Sequence, residues 1–259
     1  DVDPETLCLS PKNIQKSITT KTTAIIPVHF GGMPCNMKSI QDIARQNNLT
    51  IIEDAAHAAG ATYKNKKIGS HGVAVCFSFH PVKNLAMPMG GLISINHKNH
   101  KQFRKILLAR RWCGITDRVG SEYNVKELGW NYYMNEFSAA IGLIQLKKLD
   151  RLNNIRKNIA KFYDKQIDVE QKTLFNKDCS YHLYWILVKN RKKFRERMER
   201  VGIETGTHYK PIHTMKMYQN HRILPNTENI GKHIVTIPIH PNLKPFELDK
   251  IVNSINKFI

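Results

Sequence analysis

Short apolar runs alternate with segments of helical spacing along the first hundred residues. Residues 23–30, TAIIPVHF, form an apolar run that ends in the turn signal GGMP, a pattern that predicts a buried strand. NMKSIQDIARQNN then carries apolar residues at helical spacing, and LTIIED is again short and apolar. Strand, turn, helix and strand in that order outline a βαβ unit, and therefore a parallel sheet. After ATYKNKKIGSHG, a turn rich in Gly and Lys, VAVCFSF and GLISI read as two further strands of the same sheet.

From about residue 97 the spacing becomes helical, through HKQFRKILLARRW and then MNEFSAAIGLIQLKKLDRLNNIRKNIAKFYDKQ, which is long enough for one bent helix or two. HLYWILVK and HIVTIPIH read as strands, NRKKFRERMERVG as a helix with a Gly stop, and KPFELDKIVNSINKFI as a closing helix. The expected fold class is α/β. A large domain over residues 1–150 carries a mostly parallel sheet, and residues 151–259 form a small C-terminal α+β domain.

Composition narrows the class of protein. The 259 residues are 41% hydrophobic and 24% charged, a globular balance. No apolar run approaches the roughly 18 residues of a membrane helix, and the opening DVDPETLCLSPKN lacks the basic and apolar order of a signal peptide. A cytoplasmic protein without a membrane partner is expected. Five scattered cysteines with no CxxC pair point to neither a disulfide framework nor a zinc site, so no metal is expected. The net charge of +19 suits an anionic partner. The basic residues fall in short groups interrupted by apolar helix positions, as on solvated faces, so nucleic acid is not the expected partner.

In parallel α/β folds ligands bind outside the carboxyl ends of the strands. IIED places Asp54 there, and His57 follows in EDAAHAAGA. CFSF places Ser78 at the next strand end, with Lys83 five residues on. Each alone has an ordinary structural use, as a cap, a buried imidazole or a solvated amine. An acid, an imidazole, a hydroxyl and an amine converging on one crevice form the set that pyridoxal 5'-phosphate needs. A lysine takes its aldehyde, and a carboxylate keeps its ring nitrogen protonated so that the ring withdraws electrons. Asp54 suits the nitrogen and Lys83 the aldehyde, and the free amine of Lys83 can also move a proton as a general acid and base.

TAIIPVHFGGMPCNM, IIEDAAHAAGATYKNKKIGS, CFSFHPVKN, LGWNYYMNEFSAAIGLIQLKKLD and THYKPIHTMKMY resemble successive motifs of the DegT-type sugar aminotransferases, PLP enzymes of fold type I. The resemblance covers nearly the whole chain in family order. It implies an aspartate aminotransferase-like large domain, and transamination of a keto group on a nucleoside-diphosphate sugar with glutamate as donor, for glycan or natural-product biosynthesis. It further implies that Lys83 forms the Schiff base, that Asp54 pairs with the pyridine nitrogen, that His57 lies by the ring and its phenolic oxygen, and that Ser78 binds the phosphate. Asn131 matches an asparagine that reaches the phosphate of a neighbouring subunit, so a homodimer with shared active sites is implied. His208, Tyr209 and His213 match a segment near the substrate entrance.

The sequence departs from that family in three places. After the lysine, a Thr-rich turn and Gly-Glu-Gly-Gly are replaced by NLAMPMGG, with Ala86 and Met87 for the hydroxyls and Met89 for the acid. Tyr133 stands where the family has Arg. The segment from Asp1 resembles one that follows a substantial N-terminal portion in the family, including a Gly-Thr helix start for the phosphate and an aromatic stacked on the ring. An N-terminally truncated chain with weakened PLP binding is therefore expected. The alternative reading is an inactive remnant with a binding or regulatory role. A sugar dehydratase of the same family, which carries His in place of the lysine, is opposed by Lys83.

Overall fold

The computed structural model describes residues 1–218 and 222–259. A short helix α1 (Pro11–Ser17) leads to strand β1 (Ala24–Ile25), and α2 (Met37–Gln46) carries the chain to β2 (Thr50–Asp54). A small hairpin, β3 (Thr62–Tyr63) and β4 (Lys66–Lys67), precedes β5 (Ala74–Ser78) and β6 (Gly91–Ile95). Helix α3 (His100–Arg111), a second hairpin of β7 (Ile115–Val119) and β8 (Glu122–Val125), and the long helix α4 (Glu136–Gln166) follow. The remainder runs β9 (Tyr184–Leu187), α5 (Arg191–Arg200), α6 (Pro225–His233), β10 (Ile234–Ile237) and α7 (Pro245–Phe258).

The main sheet has the order β1-β2-β5-β6. Its first three strands are parallel and β6 returns antiparallel to β5. The α/β class and the mostly parallel sheet expected from the apolar runs are both present. Strands β9 and β10 pair antiparallel as a separate two-stranded sheet. Local sequence sets the helix starts: the Asn36, Asn135 and Asn190 side chains each accept a hydrogen bond from the backbone N–H three residues on, at 3.3, 2.8 and 3.1 Å.

Two elements differ from what the patterns predict. The 23–30 run is neither one strand nor wholly buried: only Ala24–Ile25 forms a ladder, because Pro27 has no N–H to donate. Pairing resumes beyond it, with Asp54 N–H donating to the Pro27 carbonyl and His29 N–H to that of Asp54. Strand alternation then turns Ile25 and His29 inward while Ile26 is 61% exposed. ATYKNKKIGSHG contains the β3–β4 hairpin, whose two turn residues, Lys64 and Asn65, have φ of 48° and 65° as a type I′ turn requires. Of the one helix or two that the spacing left open, α4 is one continuous helix of 31 residues, about 46 Å long at 1.5 Å per residue.

Helix α4 runs through position 150 without a break, and the largest core cluster draws on both sides of it. Ile25, Met37, Ile40 and Ile43 pack into the same cluster as Ile159, Tyr163, Tyr184, Val235 and Ile255. His29 and Glu53 are fully buried side by side. The Cys35 N–H donates to His29 Nδ1 at 3.0 Å, which places the imidazole proton on Nε2, and Nε2–H donates to Glu53 Oε2 at 2.8 Å. The second carboxylate oxygen accepts from the Gly72 N–H. The pair thereby pins β2 to the turn after β1 and to the entry of β5. His29→Leu removes one partner and leaves a buried carboxylate short of a donor, so it is expected to cost about 2–3 kcal/mol. Urea unfolding reads this directly, and an unchanged midpoint would contradict the role given to the pair.

Candidate active site

The crevice is built where two adjacent parallel strands stop. Asp54 ends β2 opposite Cys76 of β5, and its Oδ1 accepts the Ala56 N–H at 2.9 Å, which turns the chain sharply after the strand. Ser78 ends β5 half-buried, and its Oγ accepts the His80 N–H at 3.3 Å. The Lys83 N–H donates to the His80 carbonyl at 2.8 Å, so the turn after β5 delivers Lys83 beside the end of β2. Lys83 is half-buried. Burial lowers the pKa of its amine, and the Asp54 carboxylate acts in the opposite sense.

The lysine loop is held from behind by α4. Asn84, itself buried, donates from Nδ2 to Asn153 Oδ1 at 3.0 Å and to the Ser180 carbonyl at 2.7 Å. Asn153 in turn donates to the Ala59 carbonyl at 2.9 Å. Leu85 and Met87 pack with Ala59, Phe79 and Leu149. Met87 also lies against Gly142, where an added Cβ would run into its side chain. Packing thus takes the place of the hydroxyl that the resemblance leads one to expect at this position, while Met89 is exposed.

His57 faces the same crevice. Its Nδ1 accepts the Gly31 N–H at 3.2 Å, which puts the ring proton on Nε2, 3.4 Å from Tyr209 Oη. Burial first, then the charge of Lys83 and the neighbouring His208, lowers its pKa to about 4. His182 packs against it with ring centroids 4.4 Å apart and ring planes tilted by 42°, and burial with the nearby cations holds its pKa down to about 2. His208 bonds Thr236 Oγ1 through Nδ1 at 2.7 Å, and burial and Lys83 lower its pKa as well. Burial and Asp54 raise that of Tyr209.

Asp54, His57, Lys83, His208 and Tyr209 therefore share one electrostatic neighbourhood. Ser78 stands at the strand end beside it. His213 does not join them: it is buried and bonds Glu228 of α6 through Nε2 at 3.2 Å. Asn131 lies outside as well, exposed and bridged to Trp112 on the outer segment. Tyr133, near it, carries the Arg111 guanidinium 5.2 Å over its ring. Sequence reasoning passed over His182, which opens the HLYWILVK run. A histidine at the start of a buried strand was the available signal.

Residues 1–256 match the DegT/DnrJ/EryC1/StrS aminotransferase family. The chain belongs to that family. An uncharacterized protein of Methanocaldococcus jannaschii is 34% identical over 283 residues, a match that spans 100% of this chain and 72% of that protein. Among solved structures the chain is similar to Helicobacter pylori PseC, an aminotransferase involved in the biosynthesis of pseudoaminic acid, at a TM-score of 0.90 and 30% identity over 99% of this chain and 72% of that one. It is also similar to the sugar aminotransferase CalS13 of Micromonospora echinospora, at a TM-score of 0.90 and 29% identity over 99% and 73% of the two chains.

The buried imidazoles of this DegT-family chain give its stability a pH dependence. His57 and His182 have folded-state pKa values below the ordinary 6.5, so the unfolded chain binds more protons as pH falls from about 6.5 toward 4. Stability is therefore present in full above pH 6.5 and is lost on acidification, at up to about 1.4 kcal/mol per pH unit for each ring. Urea midpoints at pH 7 and pH 5 check the sign; a higher midpoint at pH 5 would contradict it. Among the described residues no group of three His, Cys, Asp or Glu is placed to hold a metal, and no helix is long and apolar enough to cross a membrane.

Proposed function

We propose that this chain moves an amino group from an amino acid, glutamate, to a keto carbon of a nucleoside-diphosphate sugar, with pyridoxal phosphate carried on Lys83. The observation that carries the reading is the meeting of the Lys83 amine and the Asp54 carboxylate at the carboxyl ends of adjacent parallel strands, in a member of an aminotransferase family.

The residues fit the cofactor. A half-buried amine with a lowered pKa is a nucleophile for an aldehyde, and a strand-end carboxylate nearby suits a protonated pyridine nitrogen. Lys83 would take the aldehyde, Asp54 the ring nitrogen and His57, as a neutral Nε2–H donor, the phenolic oxygen. Ser78 would donate to the phosphate through its hydroxyl. When bound, pyridoxal phosphate supplies an electron-withdrawing ring that stabilises negative charge at the carbon losing its proton. The free amine of Lys83 then carries that proton away from the α-carbon of the donor.

In the same proposal, His208 and Tyr209 line the approach of the sugar, and His213 holds that approach in shape through Glu228. Asn131, exposed on the outer segment, serves the phosphate of a second copy in a homodimer. The formal charge of +19 favours encounter with a nucleoside diphosphate. Cys8, Cys35, Cys76, Cys113 and Cys179 are free thiols, in keeping with a reducing cytoplasmic setting. The test is an assay with glutamate, pyridoxal phosphate and nucleoside-diphosphate keto sugars that follows 2-oxoglutarate and the amino sugar by mass spectrometry. Formation of both in equal amounts is expected, and 2-oxoglutarate without amino sugar across the panel would overturn the sugar assignment.

A further inference from the structure

The segment before β9 reaches both sides of the crevice. Ser180 donates from its backbone N–H to the Gly32 carbonyl at 3.1 Å and from Oγ to the His57 carbonyl at 3.0 Å, while its own carbonyl holds Asn84, the neighbour of Lys83. The His182 N–H donates to the Gly31 carbonyl at 2.8 Å, and the Gly31 N–H is the donor to His57 Nδ1. His182 is thus linked to His57 twice, through the backbone of Gly31 and through the direct contact of the two tilted rings.

His182 is 9% exposed, and its Nδ1 is enclosed without a hydrogen-bond partner among the described residues. An enclosed nitrogen left unpaired costs about 1–3 kcal/mol. An unpaired acceptor is tolerated better than an unpaired N–H, which leaves the proton on Nε2 and the ring neutral. The His182 ring packs against His57 at 42° between ring planes, while Phe30 lies edge-on to His57 and Tyr209 near-parallel to it, with ring centroids 6.2 and 6.1 Å away.

We propose that His182 is a positioning residue for His57, its tilted ring packed against the neighbouring imidazole and holding it in the single neutral tautomer that presents Nε2–H to the crevice. The inference deepens the functional reading above and rests on it only for the destination of that N–H, the phenolic oxygen of the cofactor. Among the described residues the charged and titratable groups that face His57 are Lys83, His208, His182 and Tyr209, and Asp54 acts on Lys83 and Tyr209 in the same crevice. A ring free to turn would lose its bond from Gly31 and admit water, and both changes favour the imidazolium.

The experiment is nitrogen NMR of the full chain with labelled histidine and no cofactor, comparing His182→Ala and His182→Phe with the unsubstituted protein. In the unsubstituted chain His57 is expected to show one tautomer, protonated at Nε2, from pH 5 to 8. In His182→Ala it is expected to show both tautomers, with its titration midpoint raised by about one unit or more. His182→Phe restores a ring face and is expected to restore the single tautomer. The His29 resonances report whether each variant is folded, and if the Ala variant is not, the Phe variant decides alone. A folded Ala variant with an unchanged His57, or a Phe variant in which His57 tautomerises freely, overturns the proposal. Because no cofactor is present, either failure is distinct from a failure of the Lys83 assignment, which is read by covalent labelling.

Discussion

Lys83→Ala is expected to reduce transamination by about 10³-fold or more and to abolish covalent attachment of pyridoxal phosphate. Two functions end together. In the proposed mechanism the amine that anchors the cofactor is gone, and so is the base that would carry the proton from the donor. The remainder of the site should persist, because the side chain of Lys83 makes no hydrogen bond among the described residues, whereas Asn84 ties the loop to Asn153 and Ser180. The variant is therefore expected to unfold at a urea concentration near that of the unsubstituted chain while losing activity. Activity within tenfold of the original would place the chemistry elsewhere.

Asp54→Asn is expected to lower kcat by about 10²–10³-fold with a smaller effect on KM. The amide oxygen can still accept the Ala56 N–H, so the turn after β2 survives and the charge alone is removed. Without that charge a pyridine nitrogen loses the partner that keeps it protonated, and the ring withdraws electrons less well. The Lys83 amine loses the carboxylate that raises its pKa, so its pKa falls further under burial. Steady-state rates over a range of donor concentrations separate the two constants. An unchanged kcat with a raised KM would mean that Asp54 only helps to bind.

Much of this was legible in the sequence, and for identifiable reasons. IIED and CFSF read as strands because they are short, apolar and bounded by turns, and the rule that ligands gather at strand ends then singled out Asp54 and Lys83. The apolar spacing and the Gly stop placed these helices to within a few residues. What was not legible depends on contacts between distant segments. His182 lies 125 positions from His57, and nothing local tells that the Gly31 peptide joins them. Met87 reads as a departure from a polar loop until Gly142 of α4 is placed against it. The exposed outer face of TAIIPVHF could not be told from a buried one, since an unbroken apolar run hides the alternation that a half-exposed strand otherwise displays.

The N-terminal half of α4 remains apolar and uncovered, with Phe137 at 83% and Leu143 at 64% exposure, and the β7–β8 hairpin and the segment after it add Tyr123, Trp130 and Tyr132. Such a surface accords with the proposed association of two copies around Asn131. The buried network behind the lysine loop does not depend on it, since Asn84, Asn153 and Ser180 bond within one chain.

The central claim is that Lys83 carries the cofactor. Incubating the full chain with pyridoxal phosphate, reducing with borohydride and mapping the added mass by peptide mass spectrometry tests it most directly. The account predicts one dominant label on Lys83 that is absent from Lys83→Ala. A label spread over the surface lysines, or one that persists in the variant, would contradict it.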